Sequence, residues 1–219
     1  MCSNYRRAKS YAQMRDEFSH IRLPVRFPDG TAAPNLAPQD EIRPTDQAVV
    51  FRVLDGGVEL VRMRWGLVPF FHKKPLREWK AATFNAKAET LKTLASFREP
   101  FRRRRCLIAA DGWVEWKGEG KPKPKFYIAP RGGEPICFAG LWCRTRSDAD
   151  GEVESFTMVT QPPGALSDVH DRAPVVLGMG DWARWLDVDA DVDDLLGAEP
   201  VDRFEVRPFT PLASEDADL

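Results

Sequence analysis

Cys2 has the most distinctive chemistry open to it of any residue in this chain. Loss of the initiator methionine would leave its α-amine free beside its own thiol, and such a 1,2-aminothiol reacts twice at one aldehyde carbon. The amine first forms an imine; sulfur then adds to the same carbon and closes a thiazolidine ring. An α-amine titrates near pH ~8 and a thiol near ~8.5, so each is partly deprotonated at neutral pH. Taken alone, an incidental second residue is the simpler reading of Cys2.

Three further residues suit the management of protons. In GWVEWK, strand alternation places Glu115 opposite Val114 and Trp116, with Trp113 and Lys117 on its own side. A carboxyl beside tryptophan is desolvated, which raises its pKa toward the range of general acid–base work. The plainer alternative is a surface strand with a Glu115–Lys117 pair. Asn85 in ATFNAKAET could orient a reacting group, or could simply cap the helix expected after it. His170 in LSDVHDRAPVVL follows a turn-like segment and could move protons, or could be a structural loop histidine beside Asp171 and Arg172. RWGLVPFFHKK interleaves Trp65, Phe70 and Phe71 with Arg64, Lys73 and Lys74, a composition that suits stacked bases and paired phosphates. A core strand entering a loop would have a similar composition.

The elements that must position these residues follow from periodicity and turn chemistry. Ser10 to Gln13 has the form of a capping box, and Tyr11, Met14, Phe18 and Ile21 recur at helical spacing. The proline-rich stretch from Pro24 to Pro44 reads as an ordered loop. AVVFRVL and VELVRMRW flank Asp55-Gly56-Gly57 as a β-hairpin. The spacing predicts a helix from Ala86 to Phe97, ending before Pro100. RCLIAA, GWVEWK, KFYIA, ICFAGLWC and SFTMVT read as strands, and Asp181–Leu186 and Asp191–Leu196 as short aspartate-capped helices. The fold expected is one α+β domain over residues 2–210, dominated by antiparallel β-sheet with a few short helices. Residues 211–219 read as a disordered acidic tail.

Composition narrows the function. With 219 residues, 43% hydrophobic and 30% charged, the chain is long enough for a real core. It carries no membrane-length apolar run and no signal-peptide pattern, so a cytoplasmic protein without membrane partners is expected. Cys106, Cys137 and Cys143 read as buried strand residues in a reducing compartment, and the three histidines do not join them in a zinc pattern. The net charge of −1 conceals an asymmetry. Residues 62–125 hold 17 Lys and Arg against 6 Asp and Glu, whereas residues 181–219 hold 12 acids against 3 bases. A basic middle can present a cationic face to a polyanion, and Arg102 to Arg105 is the densest candidate stretch.

The order of these segments is more specific than any one of them. Met-Cys at the start, NLAP (Asn35 to Pro38), WGLVP (Trp65 to Pro69), FNAKAET (Phe84 to Thr90), RCLIAADGWVEWK (Arg105 to Lys117) and VHDRAPVVL (Val169 to Leu177) resemble the SRAP family. These are the SOS-response-associated peptidases, also described as abasic-site processing proteins. The resemblance implies a barrel-like SRAP fold and a covalent sensor of abasic sites in single-stranded DNA. Cys2 would form the thiazolidine crosslink after loss of Met1, by self-processing or by an ordinary aminopeptidase.

Asn85 would position the N-terminal residue and the sugar, Glu115 would act as acid–base near the amine, and His170 would move protons on the opened deoxyribose. Asn35, Pro38, Trp65, Lys87, Arg105, Trp116, Thr160 and Arg172 would contact DNA. No metal or other cofactor is implied. The implied setting is the DNA damage response, nucleoid-associated if bacterial, as a monomer with replication-fork proteins as candidate partners. The alternatives are an N-terminal-nucleophile cysteine peptidase or amidase and a non-covalent single-stranded DNA binding module. The resemblance runs from residue 2 to about residue 186, with three departures from the family pattern: Ser3-Asn4 where Gly-Arg is usual, Lys87 where the family has arginine, and no recognisable C-terminal family segment.

Overall fold

The computed structural model describes residues 2–20, 22–23, 25–27, 36–197 and 203–212. In chain order its elements are β1 (Tyr5–Arg7), α1 (Tyr11–His20), β2 (Val25–Arg26), β3 (Gln39–Ile42), β4 (Gln47–Leu54), β5 (Gly57–Trp65), β6 (Asn85–Lys87), α2 (Ala95–Arg103), β7 (Arg105–Ala110), β8 (Gly112–Trp116), β9 (Lys125–Pro130), β10 (Ile136–Ser147), β11 (Gly151–Gln161), β12 (Ala173–Pro174), β13 (Val176–Gly178), α3 (Met179–Leu186) and β14 (Phe204–Pro208). The class is α+β with sheet dominant, as the sequence indicates. Both Asp55 (φ 49°) and Gly56 (φ 72°) adopt left-handed backbone between β4 and β5, as a tight two-residue hairpin turn requires. The capping box also forms: Gln13 N–H donates to Ser10 Oγ at 3.4 Å, and Ser10 N–H to Gln13 Oε1 at 2.8 Å.

Five strands close into a barrel in the order β11–β10–β7–β4–β5, with β5 returning to β11. The four pairings along that path are antiparallel, and the closing one, Ser155 with Arg64 and Phe156 with Trp65, is parallel. A ring with an odd number of strands cannot alternate direction all the way round, so one parallel seam is a geometric necessity. Farther along β11, β6 adds a second parallel pairing, Met158 with Asn85 and Thr160 with Lys87.

The barrel strands are apolar on both faces. Ala48, Val50, Met63, Cys106, Ile108 and Phe138 share one cluster with Cys2, Tyr5 and Trp113. The intervening Val49, Phe51, Leu107, Ala109 and Ala139 pack instead with Phe18, Phe97, Trp182 and Trp185 of the three helices. This double burial accounts for the nearly continuous apolar runs in the sequence.

A second sheet, β14–β9–β8–β1–β3, packs its β1 and β8 side chains into the first of these clusters. Strand β1 is flanked on both sides, Tyr5 facing Trp113 of β8 and Ile42 of β3. Arg6 ties it to the far end of the chain. Its guanidinium lies 4.5 Å from the Tyr127 ring centre and 5.1 Å from that of Phe209. It also donates to Thr210 O at 2.6 Å and pairs with Asp40 at 2.7 Å. Asp40 in turn accepts from Leu212 N–H at 2.7 Å, so the described chain is still held at residue 212.

Three expectations about elements are corrected. Among its described residues the proline-rich stretch holds two short strands, because β3 finds a partner in β1 and β2 finds one in β5. Asn85 to Lys87 is strand rather than helix start, since pairing with β11 overrides the local helical periodicity. The helix begins later, at Ala95, and runs through Pro100 to Arg103. Pro100 is tolerated where it packs buried with Phe97 and Phe101, at the loss of one helical hydrogen bond. Ile21, in the expected apolar stripe of α1, lies outside the described residues.

Arg6→Ala should destabilise the protein by about 2–3 kcal/mol, because it strands the partly buried Asp40 without its cation. Urea unfolding monitored by tryptophan fluorescence measures this. A change under about 0.5 kcal/mol would mean that the Arg6 cluster does not secure β1.

Candidate functional site

Cys2 sits immediately ahead of β1 and is fully buried. Its carbonyl accepts a hydrogen bond from Asn85 Nδ2 at 2.7 Å, which joins the second sheet to the barrel's parallel edge. Its thiol lies 3.8 Å from Asn4 O. Glu115 comes from β8, is 2% exposed, and shares the face of Trp113 as alternation requires. Burial therefore excludes the surface-strand alternative. Glu115 Oε2 lies 3.7 Å from His170 Nε2. The other ring nitrogen, Nδ1, is 2.7 Å from Asp171 Oδ1 and 3.1 Å from the Arg172 amide. One tautomer donates to Asp171 and the other accepts from Arg172, so the histidine proton has two defined resting places.

The electrostatics follow from burial. Desolvation, reinforced by the charge of Asp171, lifts the Glu115 carboxyl from an ordinary 4.5 to about 7. Desolvation holds His170 below its usual range. The Cys2 thiol is pushed well up, first by burial and then by Glu115. At neutral pH the site therefore offers a carboxyl able to carry a proton beside an uncharged imidazole, the pairing that general acid–base work uses.

Beside Asn85 lies a cavity of about 440 Å³ lined by Thr83, Asn85, Lys87, Phe97, Thr160 and Arg172 among others. Parallel pairing of β6 with β11 sets Lys87 opposite Thr160. Arg172 donates to Thr160 O at 2.7 Å, and its guanidinium fork engages both Glu89 oxygens.

The family model for SOS response associated peptidases matches residues 1–212, so the likeness extends well past residue 186, where the motifs alone ended it. This chain belongs to that family. Among SRAP relatives, an abasic site processing protein of Saccharomyces cerevisiae is 30% identical over 211 residues, covering 86% of this chain and 56% of that protein. The abasic site processing protein YoqW of Bacillus subtilis is 31% identical over 181 residues, covering 80% of this chain and 77% of its own. YedK of Escherichia coli, named likewise, is 32% identical over 146 residues, covering 66% and 63%. This chain thus spans little more than half of the yeast relative and about three quarters of YoqW. A crystal structure from Bacteroides thetaiotaomicron superposes with a TM-score of 0.79 at 22% identity, covering 95% of this chain and 92% of that one. One from Bordetella bronchiseptica gives 0.77 at 26%, covering 96% and 100%. The barrel with its second sheet is therefore the SRAP fold.

Within that fold the expected site residues separate into groups. Cys2, Asn85, Glu115 and His170 converge, and Lys87, Thr160 and Arg172 share the adjoining cavity. Pro38 is exposed, and Trp116 is half-buried with Lys125 Nζ 5.8 Å over its ring. Asn35 lies outside the described residues.

Trp65 is a correction. It is wholly buried, stacked on Phe156, and donates its indole N–H to Phe84 O at 2.7 Å, so it has no face left for a base. The exposed aromatics of that segment are Phe70 and Phe71, beside a second cavity of about 470 Å³ that also touches Arg98 and Arg104.

Arg105 is the other correction. It is buried, donating to the carbonyls of Trp185, Asp187 and Ala190 just past α3, where a cation satisfies the open helix end. Arg104 lies over the Trp142 ring, which leaves Arg102 and Arg103 as the exposed members of that run.

Asn4, where the resemblance leads one to expect arginine, is buried and donates to Glu41 at 2.6 Å, where Lys125 also binds at 2.6 Å. Glu41 and Glu89 are the polar partners that residue type and spacing do not single out. Glu89 lies within FNAKAET, so the motif held the signal. Nothing local marks Glu41.

Glu115→Gln should stabilise the protein increasingly as pH rises. The folded-state pKa is raised, so the stability owed to protonated Glu115 is complete below about 4.5 and is lost as pH climbs through about 7. Glutamine does not titrate. Thermal melts should show the variant's advantage widening between about pH 5 and pH 8, on the order of 3 kcal/mol at most. A gap that does not change with pH would mean that Glu115 ionises normally.

Proposed function

We propose that this protein processes abasic sites in DNA by capturing the ring-opened sugar on Cys2. The observation that carries this reading is the convergence of the second residue of the chain with Asn85, Glu115 and His170 in a buried site. An aminothiol needs a proton donor for the departing hydroxyl of its first adduct, and a carboxyl with a pKa near 7 can provide one. The names of the relatives supply the substrate class.

Hydrolysis of the Met1–Cys2 amide consumes one water, releases methionine and frees the amine. Uncharged His170 accepts the anomeric hydroxyl proton and delivers a proton to the ring oxygen, which opens the deoxyribose to its aldehyde. The amine adds to the aldehyde carbon, Glu115 protonates the carbinolamine hydroxyl, water leaves, and the carboxylate takes back the iminium N–H proton to give the imine. The thiol then adds across the C=N bond, sulfur to carbon and its proton to nitrogen. Asn85 holds the Cys2 carbonyl throughout, which fixes the distance between nucleophile and pocket.

Folding buries Cys2 completely, so Met1 leaves either before β1 docks or through the site's own groups. Self-processing uses the same acid and base and accords with the peptidase in the family's name. Lys87 and Arg172 hold phosphates at the cavity, and Phe70 and Phe71 offer stacking surfaces to neighbouring bases. The substrate is single-stranded, since a concave pocket takes an unstacked nucleotide and an abasic site has no base to unpair. The protein acts as a single domain and as a monomer.

Intact mass of the purified protein should correspond to loss of Met1; a retained methionine blocks the amine and sinks the crosslink. On a denaturing gel, wild type mixed with single-stranded DNA carrying one abasic site should give a heat-stable shifted band, and Cys2→Ala none. Cys2→Ser should need borohydride to trap its imine. Asn85→Ala should slow capture about 10- to 100-fold, since a misplaced nucleophile loses much of its proximity advantage. The capture rate should fall as pH rises past about 7, and this limb should vanish in Glu115→Gln. Equal non-covalent shifts on intact and abasic DNA would favour a simple binding module.

A further inference from the structure

We infer that Glu89 is an internal stand-in for a DNA phosphate, a removable latch on Arg172 that the incoming strand displaces. This rests on the proposed function and concerns how the same pocket selects and admits its ligand.

The geometry is that of an anion site already filled. Both terminal nitrogens of Arg172 meet the two Glu89 oxygens, at 2.5 and 2.9 Å, in the parallel fork that guanidinium also makes with phosphate. One of them also donates to Thr160 O at 2.7 Å, which aims the fork. Among the described residues, the buried Nε of Arg172 has no hydrogen-bond partner. Lys87, two positions before Glu89, lines the same cavity, so a second cation stands beside the fork.

The two partners differ sharply in burial. The Arg172 side chain is 12% exposed, but that of Glu89 is 48% exposed. The contrast is wider than in the Arg6–Asp40 pair, whose side chains are 8% and 27% exposed. Here the cation is fixed and largely dehydrated, and the anion can swing into solvent from the single helical turn Ala88–Thr90. The hydrogen bonds from Arg172 hold the Glu89 carboxyl below its usual range, so it is an anion at every pH where DNA would bind.

Exchanging carboxylate for phosphate leaves the guanidinium paired throughout. Its desolvation is met once, during folding, and the fork is preorganised for the strand. The latch also sets a threshold. A ligand must outcompete a tethered carboxylate, so isolated anions are rejected in favour of a strand that fills the neighbouring cavity as well.

The test is equilibrium anisotropy with a single-stranded oligonucleotide carrying one tetrahydrofuran abasic analogue, which has no aldehyde and cannot crosslink. At fixed salt, Glu89→Gln should bind about 3- to 10-fold more tightly than wild type, the scale of a lost competing ion pair. In an Arg172→Gln background the same substitution should change nothing, because the latch then has no bolt. Unchanged or weaker binding by Glu89→Gln would overturn the latch and make Glu89 a residue that positions Arg172. Equal tightening in both backgrounds would also overturn it, leaving only general charge repulsion. Glu89→Ala should match Glu89→Gln, which guards against a fault peculiar to one variant. If wild type neither binds this probe nor crosslinks abasic DNA, the proposed function fails and the latch with it. Crosslinking by wild type with no effect of Glu89→Gln overturns the latch alone.

Discussion

A chain terminus ordinarily lies at the surface and frays. Here residues 2–7 run into the molecule, and β1 is an inner strand of its sheet, paired on one side with β8 and on the other with β3. Burying a terminus removes its freedom to wander. With the Cys2 carbonyl on Asn85 and Arg6 bound at Asp40 and Thr210, the second residue of the chain has a defined position. The rest of the site depends on that. Glu115 is buried because β8 must lie beside β1, and its altered acidity follows from the same packing.

The surroundings of Cys2 separate two electrostatic tasks. The interior, with Glu115 and His170, is weakly solvated and suits proton transfer. The adjoining cavity is lined by Lys87 and Arg172 and suits anions. Asn85 sits between the two, donating inward to Cys2 while also lining the cavity. Its Oδ1 is buried without a hydrogen-bond partner among the described residues. A neutral amide can serve both regions without shifting the charge of either.

Much of this was legible in the sequence wherever local chemistry decides structure. The β4–β5 hairpin followed from Asp55-Gly56, the α1 start from Ser10 and Gln13, and the strand character of β7 to β11 from composition. Alternation put Glu115 on the face of Trp113, but only the burial of that face decided between an acid–base carboxyl and a surface pair with Lys117. The failures are places where distant pairing decides. Asn85 to Lys87 looks helical until β11 is available to pair with it. Trp65 and Arg105 carry residue types suited to DNA but serve the core and the end of α3. A tryptophan that stacks on a base and one that stacks on Phe156 look alike in sequence. No pattern within β3 marks Glu41 as the acceptor that draws Asn4 inward.

The parallel seam has a consequence for the order in which the protein assembles. Every other barrel contact joins strands that meet head to tail, and β4–β5 and β10–β11 are hairpins that can form from neighbouring residues. The seam joins residues near position 65 to residues near 155, and β6 joins position 85 to position 158. Such long closures are entropically costly and come after local structure in folding. Asn85 reaches its place through one of them, so its contact with Cys2 is among the last features to form. Cys2, Asn85, Glu115 and His170 stand together only once the barrel has closed, so any chemistry that needs all four is confined to the finished fold.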